Sequence, residues 1–190
     1  MVREKVLDKE KAIIEAAITV FAERGFWNTP TSMISKTAGI ADGTLFTYFA
    51  TKDDLIHAVY LTIKREVAEA LMTGFSAQPS TKDKLYHIWS HYIEWGVTHP
   101  ERFKIMQQIH SNYPVSADVA AEGLEPFLAI EQTASESIAS GLIRDYPVAY
   151  MAALMDSQTA MTVQFISANP HDMDYYIRAG FEILWNGVTR

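Results

Sequence analysis

Residues 29–55 read TPTSMISKTAGIADGTLFTYFATKDDL, and their punctuation decides the fold. Thr29-Pro30 predicts a helix start, with Thr as N-cap and Pro at the first helical position. That helix can run only to about Ala38, because Gly39 follows, and a turn there calls for positive φ. Asp42-Gly43-Thr44 opens a second short helix, through about Phe49. Thr51 then caps a long helix, with Asp53 and Asp54 in its first turn, running to about Thr73. Upstream, Ile13, Ala16, Ala17, Val20 and Phe21 keep the 3–4 spacing of an amphipathic helix that Gly25 stops. One long helix followed by two short ones across a tight turn is a helix-turn-helix pattern. Ile34, Ala38, Ile40, Leu45 and Phe49 are spaced to lock the short helices against the first.

The remainder is also helical in period. Residues 74–81, with Pro79 and Ser80, read as a linker. Further helices are expected near 82–98, 100–112, 124–141, 147–168 and 172–188, punctuated by Pro100, Pro114, Pro126, Pro147 and Pro170. No period-2 run is bounded by hairpin signals. The expected class is all-α with about nine helices, without internal repeats.

The composition narrows the function. Hydrophobic residues make up 48% of the chain, so a buried core needs no staples. Absence of cysteine excludes disulfides, thiolate catalysis and cysteine-held metals. The N-terminal stretch does not read as a signal peptide, and no apolar run reaches the roughly 18 residues of a membrane span. A cytoplasmic protein is expected. The net charge of −7 argues at first against nucleic acid. However, residues 1–65 carry nine Lys/Arg against eight Asp/Glu, while residues 66–190 carry seven against fifteen. An acidic body with a near-neutral N-terminal module suits a protein that offers one end to a polyanion.

The run Ile34 to Leu55, with its Ala38-Gly39-Ile40, Gly43-Thr44-Leu45-Phe46, Tyr48-Phe49 and Lys52, resembles the DNA-binding signature of the TetR (tetracycline repressor) family. Phe21 to Phe26 resembles that family's first-helix ending. The resemblance covers roughly residues 8–60. It implies a helix-turn-helix DNA-binding domain over 1–51 and an effector-binding and dimerisation domain over 52–190, connected by helix 52–73. It implies that Thr29 and Thr31 bind phosphate, that Thr44 touches phosphate or a base edge, that Tyr48 lies on the groove wall and that Lys52 pairs with phosphate. Asp42, Gly43 and Thr47 would be the residues most exposed to bases. Phe46 replaces a common Tyr, and Ala41 a common Ser cap. Phe46 and Tyr48 also have a plain core explanation, the threonines a capping one, and Lys52 a solvated one. Arg3 and Lys5 would enter a minor groove only as part of a flexible arm.

For the larger part the resemblance implies a homodimer through residues about 147–188, reading a palindromic operator in double-stranded DNA. Met151, Leu154, Met155, Met161, Phe165, Ile166, Tyr176, Ile177, Phe181, Leu184 and Trp185 are the apolar residues of those two helices. It also implies a small, largely apolar effector bound among the middle helices, which would tilt the fourth helix and release DNA. Trp89, Tyr92, Trp95, Phe103, Met106, His110, Tyr113 and Phe127 are the candidate lining, against a solid-core alternative. A repressor of this kind is no enzyme and needs no cofactor. The competing reading is a metal-dependent helical enzyme using His87, His91 and Glu94. A third is a partner-binding helical protein with a vestigial helix-turn-helix.

Overall fold

A computed structural model describes the backbone of residues 2–189 and the side chains of residues 8–189, Asn112 excepted. Arg3 and Lys5 therefore lie outside the described side chains. Ten α-helices follow in order: α1 Val2–Arg24, α2 Thr31–Thr37, α3 Asp42–Tyr48, α4 Lys52–Met72, α5 Thr81–Thr98, α6 Pro100–Asn112, α7 Ala117–Leu124, α8 Leu128–Ala139, α9 Val148–Ala168 and α10 Met173–Val188. Among the described residues there is no strand, and no helix is long and apolar enough to cross a membrane. The segment expected as one helix over 124–141 instead holds a 3₁₀ turn followed by α8, and α7, over residues where no helix is expected from the sequence, precedes it. The turn, Glu125–Phe127, contains Pro126, a residue that cannot supply the N–H an α-helix needs.

The chain gathers into two compact units, residues 1–64 with 100–123, and residues 65–99 with 124–190. In the first, α1 packs on α2 and α6, and α2 on α3. Ile13, Ala17, Phe21, Ile34, Leu45, Leu55, Val59, Ile63 and Ile105 are its fully buried core. Each large side chain removed from water contributes about 1.5–3 kcal/mol. Ala38 and Ile40 are only half-buried. Gly123 of α7 lies against Tyr60 of α4, where a Cβ would meet the ring at 2.7 Å.

In the second unit, α5 packs on α9 and α10, and α9 on α10. Trp89 is buried there, and its indole N–H donates to the Ile177 carbonyl at 2.8 Å. The helix starts are locally encoded. The Ser80 hydroxyl accepts from the Asp83 N–H at 3.1 Å, opening α5. Thr51 and Asp54 exchange side chain-to-backbone bonds of 2.9 and 3.1 Å at the start of α4, a reciprocal capping box.

The two C-terminal helices divide their apolar residues differently from the sequence expectation. Ile166, Ile177, Phe181 and Leu184 are buried within the protomer. Met151, Met155 and Trp185 line an open apolar groove. The outward apolar residues are Tyr150, Leu154, Met161 and Phe165 on α9, and Tyr175 and Ile183 on α10. Periodicity puts apolar residues on a helix without saying which of two apolar faces points inward.

Candidate nucleic-acid interface

The turn between α2 and α3 is built on Gly39, whose φ of 67° is left-handed. Its N–H donates to Lys36 at 3.2 Å and the Ile40 N–H to Ser35 at 3.0 Å, closing the end of α2 as a Schellman motif. This tight turn hands the chain directly to α3. Within α3, Leu45 is fully buried. Asp42, Gly43, Phe46 and Thr47 are exposed, and Thr44 and Tyr48 sit half-exposed at the flanks. The four exposed positions fall on one face by their 3–4 spacing. Phe46 keeps 48% of its surface exposed, so it is no core residue. Ala41 provides no side-chain cap, and neither does Asp42; α3 starts at Asp42 uncapped.

Two expected phosphate ligands are committed elsewhere. Thr29 is only 1% exposed, and its hydroxyl donates to the Gly25 carbonyl at 2.8 Å. It does not cap α2; Pro30 holds the cap position and Thr31, half-exposed, is the first helical residue. The physical reason is Pro30, which pushes the preceding residue to extended backbone and so lets the Thr29 hydroxyl turn back to close the α1–α2 turn. The Lys52 ammonium donates to the Phe26 carbonyl and lies 6.0 Å from the Phe21 ring centroid. Partial burial pushes its pKa below the usual lysine range, with Asp53 opposing. Lys52 is therefore first a tie from α4 to the α1–α2 turn.

Helix α6 is tied into the same unit. The Tyr113 hydroxyl donates to Asp53 Oδ1 at 2.6 Å, and its ring lies 5.4 Å from Phe26 and 5.8 Å from Trp27. Arg102 pairs with Glu15 at 2.7 Å.

The eight residues expected to line an effector site are split between the units. Phe103, Met106 and Tyr113 are buried in the first unit, where His110 is exposed. Trp89, Tyr92 and Trp95 are buried in the second, with the Tyr92 hydroxyl donating to Asp156 at 3.2 Å. Phe127 alone of the eight lines the open apolar groove of that unit. This open groove offers about 330 Å³ of space between Leu85, Phe127, Ile130, Ile143, Met151, Met155, Leu184, Trp185 and Val188, with Glu131 its one charged wall residue. The sequence held the signal in Met151, Met155 and Leu184, but at the same helical spacing as a dimer face.

The three proposed metal ligands do not converge. His87 Nε2 lies 3.1 Å from the Leu71 carbonyl, and His91 Nδ1 lies 2.8 Å from the His87 carbonyl. The two imidazoles lie with centroids 3.9 Å apart and planes tilted by 33°, and Glu94 is exposed. Among the described residues no group of three His, Cys, Asp or Glu could hold a metal ion. His87, His91 and Glu94 therefore do not form the metal site expected of them.

Comparison with known proteins agrees with the first unit's geometry. Residues 13–59 match the family model of the bacterial regulatory proteins, tetR family. The fatty acid metabolism regulator protein of Bacillus subtilis (strain 168) is 34% identical over 77 residues, 40% of this chain and 40% of that protein. A TetR family transcription regulator from Marinobacter aquaeolei VT8 superposes with a TM-score of 0.88 at 24% identity, covering 98% of each chain. The transcriptional regulator FadR of Bacillus subtilis, solved in complex with stearoyl-CoA, superposes with a TM-score of 0.74 at 23% identity, covering 94% of this chain and 98% of that one.

Proposed function

We propose that this chain, which carries the DNA-binding module of the tetR family of bacterial regulatory proteins on a TetR-type fold, is a cytoplasmic, homodimeric transcriptional repressor that a long apolar effector releases from a palindromic operator. The observation that carries it is α3: Leu45 anchors the helix while Asp42, Gly43, Phe46 and Thr47 stand clear of the protein. A seven-residue helix with one buried anchor and one open face fits a major groove. Phosphate contact falls to the half-exposed Thr31, Thr44 and Tyr48, with Lys52 contributing whatever its tie to Phe26 leaves free.

Dimerisation is assigned to the outward stripe of α9 and α10. Tyr150, Leu154, Met161 and Phe165 are spaced to face one side, and Tyr175 and Ile183 extend the apolar surface. Exposed large apolar side chains aligned along one helix face suit an association surface. A two-fold partner supplies the second recognition helix that a palindrome requires.

The effector is proposed to be a long-chain acyl compound. The support is the groove's apolar wall with its adaptable methionines, together with the stearoyl-CoA complex of the FadR relative. Release requires the effector to favour the DNA-incompetent state.

The test is selection of duplexes from a random pool, followed by affinity measured against salt and against stearoyl-CoA. The expected results are an inverted repeat, a negative slope of log affinity on log salt, and weaker operator binding with stearoyl-CoA present. Failure to enrich any duplex would overturn the repressor reading. An unchanged operator affinity with stearoyl-CoA would overturn the effector assignment alone.

A further inference from the structure

From the chemistry of α3 we infer that this protein reads its operator half-site through thymine methyl groups and a cytosine amino group, without a side-chain donor on its outward face. The inference rests on the DNA-binding reading above and adds what that reading leaves open, the base chemistry recognised.

The outward face consists of Asp42, Gly43, Phe46 and Thr47. Gly43 has no side chain, and a Cβ built on it meets nothing within 4 Å. The bare backbone lets bases approach closely. The Thr47 hydroxyl donates its proton to the Gly43 carbonyl at 3.0 Å, so it has none left for a base. Phe46 is purely apolar, and its ring is half exposed. Asp42 bears a carboxylate, which accepts hydrogen bonds and donates none. No Arg, Lys, Asn or Gln lies in the helix.

Guanine presents only acceptors in the major groove, and none of Asp42, Gly43, Phe46 and Thr47 offers it a side-chain donor. Adenine is read bidentately by an amide that is likewise absent. Two base features match what is present. Cytosine N4 donates, and Asp42 accepts. The thymine C5-methyl is apolar, and Phe46 offers an apolar ring beside the Thr47 methyl. Asp42 and Phe46 are four residues apart and share a side of the helix, so the two features are read close together. Phe46 has no hydroxyl and so cannot hydrogen-bond a phosphate. Methyl readout gives its exposure a use.

The experiment needs no change to the protein. An operator enriched from a random pool is resynthesised with deoxyuridine in place of thymidine at the half-site positions, which deletes only the methyl. Burial of one methyl-sized group contributes about fourfold in affinity, so the wild-type protein should bind the uracil operator about fourfold more weakly per contacted methyl. Phe46→Ala, at an exposed position, should bind the two operators alike. Equal wild-type binding to thymine and uracil operators overturns the inference while leaving the repressor reading intact. A Phe46→Ala variant that still discriminates overturns the assignment to Phe46. If no duplex is enriched at all, the reading beneath the inference fails instead.

Discussion

Gly180 of α10 and Trp89 of α5 are in contact that leaves no room for a methyl: a Cβ on Gly180 would stand 2.6 Å from Cζ2 of the indole. The same indole donates its N–H to the Ile177 carbonyl one turn earlier on α10. Backbone and ring are thus fitted together at the centre of the second unit, and Trp89 cannot shift without losing its hydrogen bond. Gly180→Ala should therefore cost about 1–3 kcal/mol by overpacking. Gly187 is the control, since a Cβ there meets nothing within 4 Å. Gly187→Ala should raise stability by up to about 1 kcal/mol through helix propensity. Urea midpoints of the two variants should move in opposite directions.

Gly43 separates stability from function. Its φ is not left-handed, and its surroundings are open. Gly43→Ala should gain roughly 0.5–1 kcal/mol of stability. The added methyl projects from the face assigned to DNA, so operator affinity should fall. A variant that is both more stable and equally tight on DNA would remove Gly43 from the interface.

Tyr113 fastens the end of α6 to the start of α4 through Asp53. Tyr113→Phe keeps the ring contacts with Phe26 and Trp27 and deletes the hydroxyl. The loss should be about 1.5–3 kcal/mol, as for a hydrogen bond to a charged group, read as a lower urea midpoint with an unchanged slope.

Alkaline pH should weaken the fold through two tyrosines. Burial, followed by the hydrogen bond to Asp53, raises the Tyr113 pKa; burial, followed by the charge of Asp156, raises that of Tyr92. Both stay protonated in the native state where the unfolded chain begins to lose its phenolic protons, near pH 10. The unfolded state then binds fewer protons, so stability is fully present below about pH 10 and declines as pH rises toward the native pKa values. Tyr92→Phe and Tyr113→Phe should each flatten that decline. A wild-type slope unchanged in the double variant would contradict this.

The dimer face is tested at Leu154 and Phe165, which are 40% and 50% exposed in the protomer. Placing Glu at both should give a monomer in sedimentation equilibrium, with the helical circular dichroism retained. A persisting dimer would move the interface away from α9.

The sequence by itself determined the helix-turn-helix, because its signals are local. Gly39 supplies the left-handed turn, Thr51 and Asp54 cap each other three residues apart, and Leu45 keeps helical register with Phe49. Such features need no distant partner. The first unit's core was legible for the same reason, with Ile13, Ala17 and Phe21 on one stripe. Tertiary structure decided whatever depended on which neighbour arrives. Thr29 reads as a cap or phosphate ligand until Gly25's carbonyl claims its hydroxyl, and Lys52 as a free cation until Phe26 claims its ammonium. In α9 and α10 apolar residues occupy more than one face, so periodicity could not tell Phe181, turned inward, from Ile183, turned outward. The physical reason is that hydrogen-bond and turn requirements are met within a few residues, whereas burial is assigned by residues far apart in the chain.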